Sequence, residues 1–224
     1  MTNLLAVETA TEMLSLAVSV DGAVHERSIA AGQRHGELIL REIGALLAHA
    51  RVDIGDLHGI AYGAGPGSFT GLRIACGVAQ GLAAARRLPV LGVSTLAAIA
   101  EAAGAPRVVA CLDARMHEVY HAAYEKRHDG LHEVIPPGLH RPGEVPLPEG
   151  DGWVGCGAGF AAYREPLTAR HGVRLAAILP EVFPSAAAIL RLAAPRFAAG
   201  ERGDPGAAVP LYLRDRVALK TSER

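Results

Sequence analysis

Residues 63–73 of the chain read GAGPGSFTGLR, a glycine-rich stretch between two segments of regular apolar pattern. Residues 58–62 predict a short strand, and the residues after the stretch recur at a helical interval. Ser68 and Thr70 are candidate N-cap residues of that helix. Such a turn presents backbone amides where an anion can bind, but a tight turn that lets the strand and helix pack closely explains the glycines equally well.

The helix after the turn carries two kinds of face. Ile74, Val78 and Leu82 form an apolar stripe that can serve the core of the chain itself. Gly77 and Gly81 lie one turn apart, and each mid-helix glycine costs about 1 kcal/mol relative to alanine. We expect the close approach of another backbone to offset that cost. The small-residue face is then free for a second helix, in this chain or in a partner.

Residues 35–50 predict a second helix with a face suited to close packing. Its main apolar stripe serves the core. On an adjoining face, Gly36 and Gly44 lie one turn on either side of Leu40. The two helices therefore share the same design.

The bulk composition is that of a globular protein. The 224 residues are 50% hydrophobic and 20% charged, with a formal net charge of -1. Without a run of basic residues, the chain is not expected to hold nucleic acid by itself. Three widely separated cysteines without a CxxC pair predict reduced thiols. With no signal-peptide pattern and no apolar run of membrane-spanning length, we expect a cytoplasmic protein with no membrane contact.

Residues 1–104 predict an N-terminal lobe with three strands, a helix, a strand, a helix, a strand and a helix. Asp21-Gly22 is a strong hairpin signal between the second and third strands. Gly104-Ala105-Pro106 marks the expected lobe boundary.

Residues 105–224 are expected to form a smaller, more irregular C-terminal lobe. The proline-rich residues 134–150 predict an irregular connection, and residues 153–160 predict a strand, a glycine turn and a helix. A later helix is expected to begin at Ser185 as its N-cap. Residues 211–217 predict a last strand or an ordered tail.

Five stretches together resemble the TsaB family, also called the YeaZ-like proteins, which belong to the bacterial machinery that makes N6-threonylcarbamoyladenosine in tRNA. They are LAVETAT at residues 5–11, GPGSFTGLRI at 65–74, LPVLGVSTL at 88–96, DARMHEVY at 113–120 and PLYLRD at 210–215. Glu8 stands where Asp is usual in the family. The resemblance spans nearly the whole chain, and the GPGSFTGLR match is specific.

The resemblance implies an α/β fold in two lobes, like actin, hexokinase and the Hsp70 ATPase (the ASKHA, ribonuclease H-like fold). It implies a non-catalytic accessory subunit that dimerises with a TsaD-like catalytic subunit and activates it. That enzyme transfers a threonylcarbamoyl group to N6 of adenosine 37 in tRNAs that read ANN codons. A TsaE-like ATPase is expected to join the larger complex. The chain is expected to form a homodimer when it is alone, and to meet tRNA only through the complex.

The resemblance also implies that the helix pair is the partner interface. Periodicity assigns to it Gly36, Leu40, Gly44, Leu47, Cys76, Ala79, Gln80 and Ala83. Three turns are candidates for vestigial phosphate or nucleotide turns. Two of them, at Thr9-Ala10-Thr11 and at Asp113, stand where nucleotide-using relatives hold phosphate, but an ordinary polar hairpin at the first and a structural salt bridge at the second explain them equally well. The residues of the three turns are Thr9, Thr11, Ser68, Thr70, Gly71, Asp113 and Arg115. We expect no cofactor on the chain alone, and ATP or ADP, if anywhere, at or near the joint with the partner.

The residues supply no recognisable catalytic set. TsaD-like subunits bind a metal through a His-xxx-His pair after the equivalent of Val93, where this chain has Ser94-Thr95-Leu96. His117 and His121 are four apart, but in a predicted strand that spacing is about 13 Å. We therefore expect no bound metal. Two alternatives remain: an active small-molecule kinase or ATPase, disfavoured by the missing glycines after Asp113, and remotely a glycoprotease-like peptidase, for which no nucleophile or ligand set is found.

Overall fold

The structure is a computed structural model and describes residues 2–214. The described residues form ten strands and six α-helices. The first sheet contains β1 (Leu4–Glu8), β2 (Met13–Val20), β3 (Ala23–Ala30), β4 (Gly59–Gly65) and β5 (Val90–Ser94). The second contains β6 (Arg107–Asp113), β7 (Val119–Arg127), β8 (Gly130–His140), β9 (Trp153–Cys156) and β10 (Leu175–Leu179). The helices are α1 (His35–Ala50), α2 (Phe69–Arg86), α3 (Thr95–Ala103), α4 (Ala158–Ala162), α5 (Arg164–His171) and α6 (Ala186–Ala198).

The two sheets repeat one topology. The first has the order β3-β2-β1-β4-β5, and the second, taken from its β8 edge, has the order β8-β7-β6-β9-β10. In each sheet the first three strands along the chain pair antiparallel, and the last two along the chain run parallel to the central strand, β1 or β6. The fold is therefore α/β with two mixed five-stranded sheets.

The β2–β3 hairpin follows the sequence signal directly. Val20 pairs with Ala23 across a two-residue turn, in which Asp21 and Gly22 both have positive φ, 50° and 89°. Aspartate and glycine tolerate that backbone conformation better than other residues do, so this hairpin prediction is confirmed.

Both faces of the first sheet are covered, because alternate side chains of its strands point to opposite sides. Leu5, Val7 and Ile60 lie in a core with α1 and α2. Leu4 and Ala6, from the same strand β1, lie in a second core with residues of α3 and α6.

Helix α3 packs against both sheets. Its Ala98 belongs to the core of the first sheet, whereas Leu96, Ile99 and Ala100 belong to a core of the second sheet. The opposite face of the second sheet packs against α4 and α5, as in the contact of Phe160 with that core. Helix α3 therefore lies between the two lobes and contributes to the core of each.

Two expectations about the second half of the chain need correction. The division at residue 104 separates the sheets but not the cores, because Ile189 and Phe197 of α6 pack against the first sheet. Residues 134–150 are not all irregular, since β8 continues to His140. Its prolines are tolerated because β8 is an edge strand. Residues 211–214 join neither sheet, and 215–217 lie outside the described residues.

Candidate functional site

Helix α2 turns its small residues inward. Ala75, Cys76, Ala79 and Ala83 are buried in the core against the first sheet, with Ala79 and Ala83 both 0% exposed. The expectation that Cys76, Ala79 and Ala83 face a partner is therefore corrected. Small side chains on this face let the helix axis lie close to the sheet.

The apolar stripe of α2, which the sequence assigned to the core of the chain, lies instead at the edge of the contact between α2 and that core. Ile74, Val78 and Leu82 are each only partly buried. Gly77 and Gly81 are exposed, and a Cβ at either would meet no atom within 4 Å. Nothing in the described chain therefore approaches the two glycines that weaken this helix.

Helix α1 divides in a similar way. Leu47 is buried in the core, so its predicted place on a partner-facing surface is wrong. Gly36, Leu40 and Gly44 are exposed as predicted, and Leu40 is 61% exposed. A Cβ at Gly36 would lie 3.7 Å from the Ile74 side chain, so this side of α1 adjoins α2.

These observations define one surface across the two helices. We name it the apolar strip; its members are Gly36, Leu40 and Gly44 of α1 and Ile74, Gly77, Val78 and Gly81 of α2. It is made of small and aliphatic residues and contains no charged side chain. An exposed surface of this composition suits the close packing of helices from another chain.

Gln80, the last residue predicted for the interface, has a partner within the chain. Its side-chain amide donates to the carbonyl oxygen of Ala208 at 2.9 Å. It therefore anchors the C-terminal segment on α2.

The first two phosphate-type turns pack against each other. The Thr9 hydroxyl donates to the Gly71 carbonyl oxygen at 2.7 Å, and the Ser68 amide donates to the Ala10 carbonyl oxygen at 2.8 Å. A Cβ at Gly67 would lie 2.6 Å from that of Ala10. The glycines of residues 63–73 therefore make room for the turn after β1, so close packing of strand and helix explains this motif.

Ser68 is the N-cap of α2, as predicted, since its hydroxyl accepts from the Gly71 amide at 3.3 Å. Thr70 is exposed and lies within the helix, so its alternative role as N-cap is wrong. Thr11 accepts from the Met13 amide at 3.2 Å. These polar groups stabilise their own turns.

Glu8 occupies the space beneath these turns. It is fully buried, and its carboxylate accepts from the Ala10 amide at 2.5 Å and from the Thr95 hydroxyl at 3.3 Å. A Cβ at Gly63 would overlap this carboxylate. Burial raises the pKa of Glu8 to about 7, while the hydrogen bonds from Ala10 and Thr95 act in the opposite direction. The Ala10 amide, which an anion could have used, is thus already taken by the carboxylate of the chain.

The third turn is also satisfied internally. Asp113 accepts from the Arg115 amide at 2.7 Å and from the Tyr163 hydroxyl at 3.2 Å, and it forms an ion pair with Arg115 at 3.2 Å. The side chain of Arg115 is 87% exposed. The structure therefore shows the salt bridge that the sequence left open as an alternative to phosphate contact.

The glycines of the turn after β9 are also explained by packing within the chain. A Cβ at Gly157 would overlap the Cys111 carbonyl oxygen, and one at Gly159 would lie 2.6 Å from the Cys111 sulfur. These glycines let α4 approach β6. All three cysteines are free, as predicted, and they are buried.

A buried histidine pair escaped the sequence analysis. His121 of β7 and His171 of α5 are both 0% exposed, their rings stack at 5.8 Å, and none of their ring nitrogens has a hydrogen-bond partner. Burial lowers the pKa of His121 to about 3 and that of His171 to about 4. The spacing of 50 residues gave no signal of this contact, whereas Glu8 at the end of an apolar strand was a visible anomaly.

Among residues 2–214, no group of three or more His, Cys, Asp or Glu side chains is arranged to hold a metal ion. Within the same residues, no helix has the length and apolar character needed to cross a membrane.

Comparison with known proteins extends the match over nearly the full chain. The TsaD family model, described as tRNA N6-adenosine threonylcarbamoyltransferase, matches residues 23–218. The tRNA threonylcarbamoyladenosine biosynthesis protein TsaB of Escherichia coli K12 is 37% identical, covering 97% of this chain and 96% of its own. YeaZ from Pseudomonas aeruginosa has a TM-score of 0.88 at 36% identity and covers 95% of this chain and 100% of its own.

A second Pseudomonas aeruginosa structure, described as an uncharacterized protein with similarity to peptidase YEAZ, gives a TM-score of 0.89 at 36% identity. It covers 96% of this chain and 100% of its own. Fold and surface together define a two-sheet α/β protein with an exposed apolar helix pair. By sequence and by structure, the chain belongs to the TsaB (YeaZ-like) family.

Proposed function

We propose that the chain is a non-catalytic accessory subunit in the biosynthesis of N6-threonylcarbamoyladenosine in tRNA. In this role it dimerises with a TsaD-like catalytic subunit and activates it for transfer to N6 of adenosine 37 in tRNAs that read ANN codons. The E. coli relative, 37% identical over 97% of the chain, is named for this pathway. The finer assignment of the fold to the two-lobed ASKHA class is part of the same proposal, supported by the repeated strand order of the two sheets.

The observation that carries the proposal is the apolar strip. Exposed Gly77 and Gly81 have nothing within 4 Å of a Cβ, so no contact in the described chain offsets their cost of about 1 kcal/mol each in a helix. Leu40, the member of the strip on α1 with the largest side chain, remains 61% exposed. A second pair of helices laid on the strip would bury Leu40 and contact the glycine backbone directly. The TsaD-like subunit is the proposed occupant, and a second copy of the chain takes its place when that subunit is absent.

The polar turns support an accessory role. Thr9, Ser68, Gly71 and Asp113 each have a hydrogen-bond partner within the chain. As a set, these residues do not fit an open phosphate site, and we derive no nucleotide chemistry from them. ATP or ADP is proposed only at or near the joint with the catalytic subunit, where the partner would supply further groups.

The proposal also covers tRNA and the other proteins of the assembly. With a formal net charge of -1, the chain would meet tRNA only through the complex. A TsaE-like ATPase is proposed to join the larger assembly, and the complex is proposed to be cytoplasmic.

Reconstitution tests this function. Purified chain, TsaD-like subunit, a threonylcarbamoyl donor and unmodified tRNA would be combined and omitted one at a time, and modified adenosine would be measured by mass spectrometry of digested tRNA. We expect product only when both proteins are present. Equal product without the chain would overturn the proposal. ATP-dependent phosphate release by the chain alone would favour the kinase or ATPase alternative, and modified adenosine from the chain alone would contradict the non-catalytic role.

A further inference from the structure

The segment after α6 returns along the first lobe and is held at several points. The carbonyl oxygens of Gly203, Ala208 and Val209 accept hydrogen bonds from the Val90 amide at 3.0 Å, the Gln80 side chain at 2.9 Å and the Tyr62 hydroxyl at 3.1 Å. The Leu211 amide then donates to the carbonyl oxygen of Ala64 at 2.6 Å. Residues 203–211 are therefore fastened to β5, α2 and β4.

Tyr212 continues this attachment at the start of α2. Its hydroxyl accepts from Arg73 Nε at 3.0 Å, and its ring lies 5.6 Å from the ring of Phe69. The Arg73 guanidinium stacks on Phe69 at 3.8 Å. This cluster joins the C-terminal segment to the glycine-rich stretch at residues 63–73.

The next two residues reach the second lobe. Leu213 packs against the core formed by α3 and the second sheet. Arg214 forms an ion pair with Glu118 at 2.7 Å and donates to the Ala114 carbonyl oxygen at 3.0 Å. Only 15% of the Arg214 side chain is exposed. Within three residues the segment passes from the first lobe to the second.

Arg214 holds a turn of unusual backbone conformation. Arg115, Met116 and His117, between β6 and β7, all have positive φ, at 62°, 54° and 58°. Three consecutive non-glycine residues in this region need support from their surroundings. Asp113 supplies it from inside the turn, and Arg214 supplies it from outside through Ala114 and Glu118.

We propose that residues 203–214 are an inter-lobe latch whose releasable end is Arg214. Helix α3 is a second connection, since it packs against both sheets, and the side chains of Ser94 in β5 and Tyr124 in β7 hydrogen-bond between the sheets at 3.4 Å. With the latch closed, the C-terminal segment adds to these connections in fixing the angle between the lobes and holds the turn at residues 115–117. With Arg214 released, its contribution to the angle is lost and the turn relaxes. This device operates within one chain and does not depend on the proposed function.

The test replaces Arg214→Gln and follows amide hydrogen exchange and inter-lobe distance. The matched control is Arg34→Gln, because Arg34 is also ion-paired, with Glu37, but is exposed and distant in sequence from the latch. We expect at least tenfold faster exchange at residues 113–120 and 208–214 in Arg214→Gln, with β1 and β4 unchanged. The control should exchange like the parent.

Spin labels at Ala48→Cys on α1 and Val173→Cys in the second lobe report the distance, since both positions are exposed and the native cysteines are buried. Arg214→Gln should broaden the distance distribution. The proposal requires both results, so unchanged exchange at residues 113–120 or an unchanged distribution overturns it. If Arg214→Gln fails to fold, Tyr212→Ala releases the segment one step earlier and must give the same two changes.

Discussion

The hydroxyl of Thr9 donates a hydrogen bond to the carbonyl oxygen of Gly71 at 2.7 Å, across 62 positions of sequence. The backbone in return leaves no room at Gly71, because a Cβ there would overlap the Thr9 carbonyl oxygen. The turn after β1 and the turn before α2 are therefore in direct contact. Glycine at position 71 is required by this packing within the chain.

The first prediction compares two glycines of the same helix. Gly71→Ala should lower the free energy of unfolding by about 3 kcal/mol, because the overlap with Thr9 forces the backbone to move. Gly77→Ala should raise it by up to about 1 kcal/mol, because Gly77 is exposed and has nothing within 4 Å. Urea unfolding measures both. A Gly71→Ala protein as stable as the parent would show that the two turns do not touch.

The second prediction concerns the faces of α2. Ala79→Glu should abolish folding or cost several kcal/mol, since Ala79 is 0% exposed and a buried unpaired carboxylate is unfavourable. Gly81→Glu should fold normally because Gly81 is exposed. Circular dichroism and thermal melting of the two variants decide the question. If Ala79→Glu melts with the parent, the inner face of α2 is misassigned.

The third prediction is loss of stability in acid from the buried histidines. The pKa values of His121 and His171, about 3 and about 4, lie below the ordinary value of 6.5. The unfolded chain therefore binds protons first as pH falls. The stability is fully present above pH 6.5 and is lost progressively down to the folded-state pKa values. At pH 5 each histidine costs about 2 kcal/mol relative to neutral pH.

The test is the fall in unfolding free energy between pH 7.5 and pH 5. In His121→Phe the fall should be about 2 kcal/mol smaller than in the parent. His128→Ala is the control, because that side chain is 95% exposed, and its fall should match the parent. Equal falls in the parent and in His121→Phe would mean that His121 titrates normally in the folded protein.

The fourth prediction has the opposite sign and concerns Glu8. Burial raises its pKa to about 7 from the ordinary 4.5, so the unfolded chain loses its proton first as pH rises. The stability is present below pH 4.5 and is lost up to about pH 7, an effect of about 3 kcal/mol at pH 8. In Glu8→Gln, unfolding free energy at pH 8 relative to pH 4 should be higher than in the parent by that amount. Glu26→Gln, at an exposed position on β3, should follow the parent. A Glu8→Gln profile parallel to the parent would refute the buried-carboxyl assignment.

Much of the fold could be predicted from local patterns. The bounds of α1 and the β2–β3 hairpin agree with the sequence prediction, because strong periodicity and Asp21-Gly22 specify them locally. The core face of α2 could not be predicted in this way. Apolar residues occur on all sides of this helix. The side that packs against the sheet carries the small Ala75 and Ala79, which permit close approach, and the larger Val78 lies at the edge.

The candidate site shows the same division. Exposure of Gly36, Leu40 and Gly44 follows from the period of α1, whose polar residues leave one clear inner face. The contact of His121 with His171 depends on tertiary packing between β7 and α5, which no local pattern encodes.

The central claim is that the apolar strip binds a TsaD-like subunit. Gly81→Arg and Gly44→Arg place a long cation on the strip at positions where a Cβ meets nothing in the chain itself, so both variants should fold. Val173→Arg is the matched control, because Val173 is 87% exposed and lies in the second lobe. Association with the purified partner would be measured by sedimentation velocity.

We expect parent and Val173→Arg to form the heterodimer, while each strip variant weakens it by at least 100-fold, as an unpaired charge at a buried interface does. Heterodimers of unchanged affinity from folded Gly81→Arg and folded Gly44→Arg would contradict the claim and place the interface elsewhere.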